Sequence, residues 1–414
     1  MGAELSKRSK DEVTANVRKL GYRPATRRQS RHSPRSVSAL NARGILLRMR
    51  AAAGKQATHV RSRSRAFRPL GIVKWAVRQA LRAFGVPTAA MCEDALRLSA
   101  RRVGVALIYH GVSRQGGNPS RELVPAHAAK LFEEQMLHVS RRYQIVSAAE
   151  ILEAVKRRKR GQRFPVAVTF DDDLDCHTSV TLPILRRVGL RGTFFLSGAS
   201  LKAPSSFWWE RLQRAFDARL PDLPEIVGSS RSLDMPDAVH DLASHVEAME
   251  PHQRDLIASR LEDALGPDPR GSGMRAEAVR ELVSAGMEVG FHTLRHDPLV
   301  AVAEENLERA MSEGKEMLEN VAGTQLITIA YPHGRADERV AEAALAAGFT
   351  VGFTGDRSSV DPGSDPMLLG RLGPSYSSRG HFALQMVSRL LGDGRRPSGA
   401  AASPVRPTDI GSEP

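Results

Sequence analysis

Residues 166–179 read VAVTFDDDLDCHTS. Val166, Val168 and Phe170, bounded by Pro165, predict a short buried strand. Three carboxylates, Asp171, Asp172 and Asp173, follow it directly. Adjacent carboxylates repel one another, and desolvation at a strand end sharpens the repulsion. Such a cluster calls for a cation nearby. Taken alone it is equally a polar turn or a helix cap, both of which favour Asp. What the other strands end in decides between these readings.

From Val103 onward the chain alternates strand and helix. VALIYH is an apolar strand ending in Tyr109-His110; FEEQMLHVSRR then places Phe132, Met136 and Val139 at helical spacing. Helical patterns follow in AEILEAVKRRKRG, closed by Gly161, and in VTLPILRRVGL, and RGTFFLSG is a further strand. Later, VRELVSAGMEVGFH reads helix then strand, NLERAMSEGKEMLENVAG one helix, LITIAYPHG a strand, and DERVAEAALAAGFTVGFTGD helix then strand. Strands alternating with helices of this length indicate parallel βαβ units. The fold class is therefore α/β, with enough units for a barrel. Residues 203–273 interrupt the alternation with helical patterns, an insertion on the barrel rim. Its Trp208 and Trp209 suit either stacking on a sugar ring or, the commoner outcome, anchoring the insertion to the core.

Charge divides the chain unevenly. Residues 1–70 hold 18 Lys or Arg against 3 Asp or Glu, and the remainder 42 against 43, so the formal charge of +14 belongs to the N-terminal segment. Residues 1–68 form an Arg- and Ser-rich tail of disordered composition. Its readings are contact with an anionic membrane surface or with nucleic acid, against a solvated leader or a true start at Met49 or Met91. Nucleic acid is not expected as a partner, because nothing else in the chain resembles a nucleic-acid module. Residues 69–102 follow as an amphipathic helical segment, 103–391 as the α/β domain, and 392–414 as a Gly-, Pro- and Ser-rich tail. The sequence shows neither a spanning apolar run nor a signal-peptide pattern, so a cytoplasmic, membrane-associated protein is the expectation. Two cysteines, Cys92 and Cys176, imply no disulfide framework.

In parallel α/β folds, reactive side chains come from the C-terminal ends of strands. The strand MEVGF ends in HTLRH, which sets His292 and His296 four residues apart; LITIA ends in YPHG and VALI in YHGV. One carboxylate and two imidazoles make a ligand set suited to Zn²⁺ or a similar divalent ion, with a position left open for water. Metal-bound water of lowered pKa is a nucleophile near neutral pH, and a second carboxylate beside it can take its proton. Two adjacent Asp residues thus have different tasks. A histidine from another strand end, with His110 the candidate, would protonate the leaving group.

TFDD after one strand, HTxxH after a later one and YPHG after the next resemble the first three motifs of the NodB-type polysaccharide deacetylases, carbohydrate esterase family four. The resemblance covers roughly Val103 to Leu391. It implies a distorted (β/α)7-type barrel and removal of N-acetyl groups from amino-sugar polymers. Carried over, Asp171 is the catalytic base, and Asp172, His292 and His296 hold the metal, Zn²⁺ first, with Co²⁺, Ni²⁺ or Mn²⁺ as substitutes. Tyr331, Pro332 and His333 form the substrate side, Tyr331 as the groove-lining aromatic and the His333 backbone N–H as oxyanion donor. Three departures stand out. Asp173 replaces the family's glycine. Ala330 replaces the arginine that holds the base, for which Arg371 in LLGRLGP is offered as replacement and grouped with the substrate-side residues. No late leucine-x-histidine motif is present, whereas LIYHGV precedes the first motif, resembling the circularly permuted branch that includes biofilm poly-N-acetylglucosamine deacetylases. On that resemblance His110 is the acid.

The expected function is metal-dependent N-deacetylation of a glycan. Two alternatives remain: a catalytically silent glycan-binding homologue, with Asp173 and the missing arginine as marks of decay, and a deacetylase of a small amide or O-acetyl ester. His127, His138, His177 and His381 read as ordinary polar histidines, and Asp175 and Asp297 as candidates for orienting the ligand imidazoles.

Overall fold

The computed structural model describes residues 84–229, 233–235 and 237–392. The basic tail 1–68, the part of the amphipathic segment before residue 84 and the C-terminal tail from 393 lie outside the described residues. Residues 84–97 are helical. Their Glu93 is buried and receives Nε2 of His138 at 3.0 Å, Nε of Arg142 at 2.8 Å and the hydroxyl of Tyr143, which fastens this helix to the domain.

Among the described residues nine strands follow: β1 Val105–Tyr109, β2 Val112–Ser113, β3 His127–Ala128, β4 Gln144–Ile145, β5 Pro165–Asp171, β6 Thr193–Leu196, β7 Glu288–Phe291, β8 Thr328–Ala330 and β9 Val351–Phe353. The main sheet is parallel in the order β1-β5-β6-β7-β8-β9, with β4 paired to the start of β5; β2 and β3 form a separate parallel pair. The segment after β9 joins its two ends, Leu369 bridging Phe353 and Leu372 bridging Leu107, both parallel. Four backbone hydrogen bonds of 2.7–3.0 Å carry these bridges, and the sheet closes into a barrel.

Side chains alternate across a strand, and the two faces separate cleanly. Val105, Leu107, Tyr109, Val166, Val168, Phe170, Phe194, Phe291, Ile329 and Tyr331 pack outward against helical residues such as Phe132, Met136, Leu185, Val279 and Leu318. Ala106, Ala167, Phe195, Ala330, Phe353 and Leu369 fill the inside with Ile151 and Val155. All seven residues of β5 are buried, as a parallel strand covered on both faces requires.

One reading changes. The single helix expected over NLERAMSEGKEMLENVAG is two, Glu304–Ser312 and Lys315–Ala322. Gly314 breaks it at φ +80°, where glycine carries no steric penalty. The insertion is helical, with Trp208–Asp217, Leu223–Ile226, Ala238–Glu247 and Pro251–Leu265 around a small core of its own that includes Leu212, Leu242, Val246 and Leu261.

Candidate metal centre and catalytic site

The inner face of β5 carries Ala167, Thr169 and Asp171 by its period of two. Asp171 therefore enters the barrel mouth, where it meets Arg371. The guanidinium makes two parallel bonds to the carboxylate, Nη1 to Oδ1 at 2.6 Å and Nη2 to Oδ2 at 2.7 Å. It also donates to Thr169 Oγ1 at 3.2 Å and to the Thr354 carbonyl at 3.1 Å. Arg371 sits on the segment that closes the barrel, and its side chain is fully buried. It stands behind Asp171 rather than on the substrate side: Arg371 braces Asp171, in the place offered for it as replacement of the missing arginine. Burial alone would raise the Asp171 carboxyl, but Arg371 and His292 outweigh it and hold it below the usual carboxylate range.

Asp172 departs from the alternation. Its φ of +73° is left-handed, which turns its carboxylate toward the next strand ends. Oδ1 lies 3.5 Å from Nε2 of His292 and 3.4 Å from Nε2 of His296. One ligand atom from each of the three residues falls within 4.8 Å of the others, and all three residues are buried. His292 follows β7, its backbone N–H bonded to the Leu196 carbonyl at 2.9 Å. Its Nδ1 lies 2.7 Å from the Ala330 carbonyl. A carbonyl only accepts, so Nδ1 carries the proton and Nε2 presents its lone pair to the cluster. Burial lowers the His292 pKa despite Asp171, which keeps the ring neutral as a metal ligand must be.

His110 extends β1 beside β5, whose Tyr109 and Phe170 are in register. It is half-buried and lies near both Asp171 and Asp172. His333 is left-handed at φ +57°, its ring 4.9 Å from that of His296 and its Nδ1 3.5 Å from Glu247 Oε1. Burial, then the positive groups around it, push its pKa well below normal, so the ring is neutral despite Glu247. Tyr331 and Pro332 are buried, and the expectation that Tyr331 lines a groove is corrected. Ala330 faces inward, so its neighbour Tyr331 must face outward. A Cβ on Gly352 would lie 2.5 Å from its hydroxyl.

Asp173 is a structural residue. Its Oδ1 accepts from the Ser197 N–H at 2.8 Å, and its Oδ2 from the hydroxyls of Ser197 at 2.7 Å and Ser200 at 3.3 Å. The one Ser200 hydroxyl proton is shared between Asp173 and the Met274 carbonyl at 2.9 Å, which ties together the two ends of the insertion. The left-handed turn of this acidic segment falls on Asp172, not on Asp173. Asp173→Gly removes a charged acceptor from buried donors and should cost about 2–4 kcal/mol, read as a lower denaturant midpoint. Unchanged stability would refute this role.

Two further residues at the site, Phe207 and Glu210, escaped the sequence reading, and the place of His177, read as an ordinary polar histidine, was not foreseen. His177 donates from Nε2 to the carbonyls of Asp171 and Asp172, at 3.2 and 3.1 Å, beneath the acidic turn, and burial pushes its pKa down to about 4. Its spacing six residues after Asp171 was the available signal. Phe207 stacks on Trp209 at 4.4 Å, and Trp209 packs 4.5 Å from His296, so the insertion reaches the site. Burial, reinforced by Asp172 and Asp173, raises Glu210 on the same helix to about 7. Asp175 and Asp297 make no contact with a ligand imidazole among the described hydrogen bonds. Asp297 instead pairs with Arg254 at 3.0 Å.

Among the described residues no helix is long and apolar enough to cross a membrane.

Residues 158–352 match the family model described as polysaccharide deacetylase. A Bacillus subtilis (strain 168) protein named as a polysaccharide deacetylase, YxkH, is 22% identical over 275 residues, 66% of this chain and 72% of its own length. Among solved structures, the Streptococcus pyogenes deacetylase PplD, in complex with acetate, is 16% identical with a TM-score of 0.48, over 69% of this chain and 98% of that one. IcaB from Ammonifex degensii is 17% identical with a TM-score of 0.45, over 69% and 97%.

Proposed function

We propose, from the match of residues 158–352 to the polysaccharide deacetylase family model, that the chain is a hydrolase of that family and removes N-acetyl groups from the amino sugars of a glycan, with a divalent ion held by Asp172, His292 and His296. The observation that carries this reading is the convergence of those three side chains beside an Asp171 gripped at both oxygens by Arg371.

The residues fit a metal. Asp172 Oδ1 is buried with no hydrogen-bond partner, and an orphaned carboxylate oxygen there is costly unless a cation meets it. Two neutral imidazoles and one carboxylate are donors suited to Zn²⁺, which Co²⁺, Ni²⁺ or Mn²⁺ can replace. When bound, such an ion makes water nucleophilic near neutral pH and polarises a carbonyl.

This chain's own groups supply the proton transfers. Asp171, ionised and fixed in orientation by Arg371, takes a proton from the attacking water. His110, half-exposed at the next strand end, delivers one to the departing amine nitrogen. The His333 backbone N–H is assigned to the developing oxyanion. Trp209 and His333 border the site and would bear on the sugar. The basic N-terminal tail would supply contact with an anionic membrane surface.

The test is acetate release from N-acetylglucosamine oligomers. Activity should disappear on chelation and return with Zn²⁺ or Co²⁺; full turnover in excess chelator would sink the metal assignment. The reading of decay loses its support, because Asp173 has structural work and Arg371 fills the place of the missing arginine. Glycan binding without acetate release from any amino-sugar substrate would restore it. Release confined to small amides or O-acetyl esters would move the substrate class.

A further inference from the structure

The loop after β7 is held by the insertion. Thr293 and His296 both have positive φ, +57° and +50°. A β-branched residue in that region is an outlier that persists only where its surroundings dictate it. The surroundings here are two consecutive residues of the insertion helix Pro251–Leu265. Arg254 Nη2 donates to Asp297 Oδ1 at 3.0 Å, Arg295 Nε donates to Asp297 Oδ2 at 3.1 Å, and Arg295 Nη2 donates to Asp255 Oδ2 at 2.7 Å. The four charges alternate in sign. The inner pair is largely buried, with side-chain exposure of 6% for Arg254 and 16% for Asp297, whereas the outer pair is exposed.

Arg254 also donates from Nη1 to the Glu247 carbonyl at 3.3 Å, at the end of the helix Ala238–Glu247. The Glu247 carboxylate faces His333 and Arg335. One guanidinium therefore links the HTLRH loop to the helix end that meets the YPHG loop. Trp209 from the same insertion closes over the His296 ring. No hydrogen bond holds His296 Nδ1, so nothing of the usual kind orients this imidazole from its far nitrogen. Its direction depends on its backbone and on packing.

We propose that Arg254 is a positioning residue: through Asp297 it fixes the backbone of His296 so that Nε2 points at Asp172, and the insertion thereby sets the affinity of the site for its ion. The inference rests on the metal reading above and deepens it. The bland alternative, a rim salt bridge that only fastens the insertion, makes a different prediction, because it would alter stability and leave the ligand geometry alone.

The experiment is Co²⁺ titration of the full chain, followed by visible absorption and by competition with a chelator. Arg254→Ala and Asp297→Asn should each weaken Co²⁺ binding by about 10-fold, the low end of what losing a direct hydrogen-bond partner of a ligand costs, because they act on His296 through its backbone, and each should alter the absorption band. Arg254→Lys, which keeps the charge and loses the fork, should fall between. The double variant should be no weaker than the worse single one, because both remove the same link. If Arg254→Ala fails to fold, the near-isosteric Asp297→Asn decides. Affinities within about 2-fold of the unaltered chain and an unchanged band, or losses that add in the double variant, would overturn the inference alone. An unaltered chain that binds no Co²⁺ would overturn the metal reading with it.

Discussion

Asp171→Asn is expected to lower the rate of acetate release by about 10²–10⁴-fold, the usual worth of a positioned proton acceptor. The amide nearly preserves the volume and can still accept one hydrogen bond from Arg371. It cannot take a proton from water. Asp171 lies outside the proposed ligand set, its Oδ2 3.9 Å from His292 Nε2, so metal stoichiometry should be kept. Asp172→Asn differs, because it weakens a ligand and should lose the ion as well as the rate. Measuring acetate release and bound metal together on both variants separates base from ligand. Turnover within 10-fold of the unaltered chain for Asp171→Asn would remove the base from the mechanism.

These tests rest on a site whose parts differ in how readable they are. Asp171, Asp172, His292 and His110 are local events, each a reactive side chain one or two residues beyond an apolar run, with His296 four residues after His292, and parallel βαβ topology sends all such ends to one rim. Period two alone puts Asp171 on the inner face with Ala167 and Thr169. The same rule, applied to TIAY, would have turned Tyr331 outward; the family pattern drew attention to its aromatic character and away from its parity. The left-handed turns at Asp172, Thr293, His296 and His333 leave no trace in composition, because nothing marks a non-glycine residue that its neighbours force to positive φ. The insertion is legible as helical and opaque as a partner. Trp209, Glu247 and Arg254 reach the site through tertiary packing, which a helical period does not encode.

Arg371 stands between these cases. As an arginine near a strand-like segment it was nameable, but its partner lies 200 residues away, and only closure of the barrel brings them together. Because the closing segment pairs with β1 and β9, the guanidinium is delivered into the mouth with no freedom to search. This is the setting in which an ion pair matters, since both charges are already desolvated.

Arg371→Met should therefore have two separable consequences. Removing one partner of a buried pair costs about 3–5 kcal/mol, because the other charge stays buried without compensation. The pH dependence carries the sharper signature. At present Arg371 and His292 outweigh burial and hold Asp171 below its ordinary pKa, so the carboxylate is ionised across the neutral range. Without the guanidinium, burial dominates and the pKa rises. Turnover needs the ionised form, so the acidic limb of the pH profile of kcat/KM must move to higher pH. Stability follows the same sign. A depressed folded pKa contributes stability above the unfolded value of about 4, and that contribution is lost as pH falls through the folded one. The variant lacks it, so the difference in unfolding free energy between the two proteins should shrink as the solution is acidified. Arg371→Lys supplies the charge without the two parallel bonds and should lie between. An acidic limb in the same place for all three proteins would mean that Arg371 does not set the ionisation of Asp171, whatever its contribution to folding.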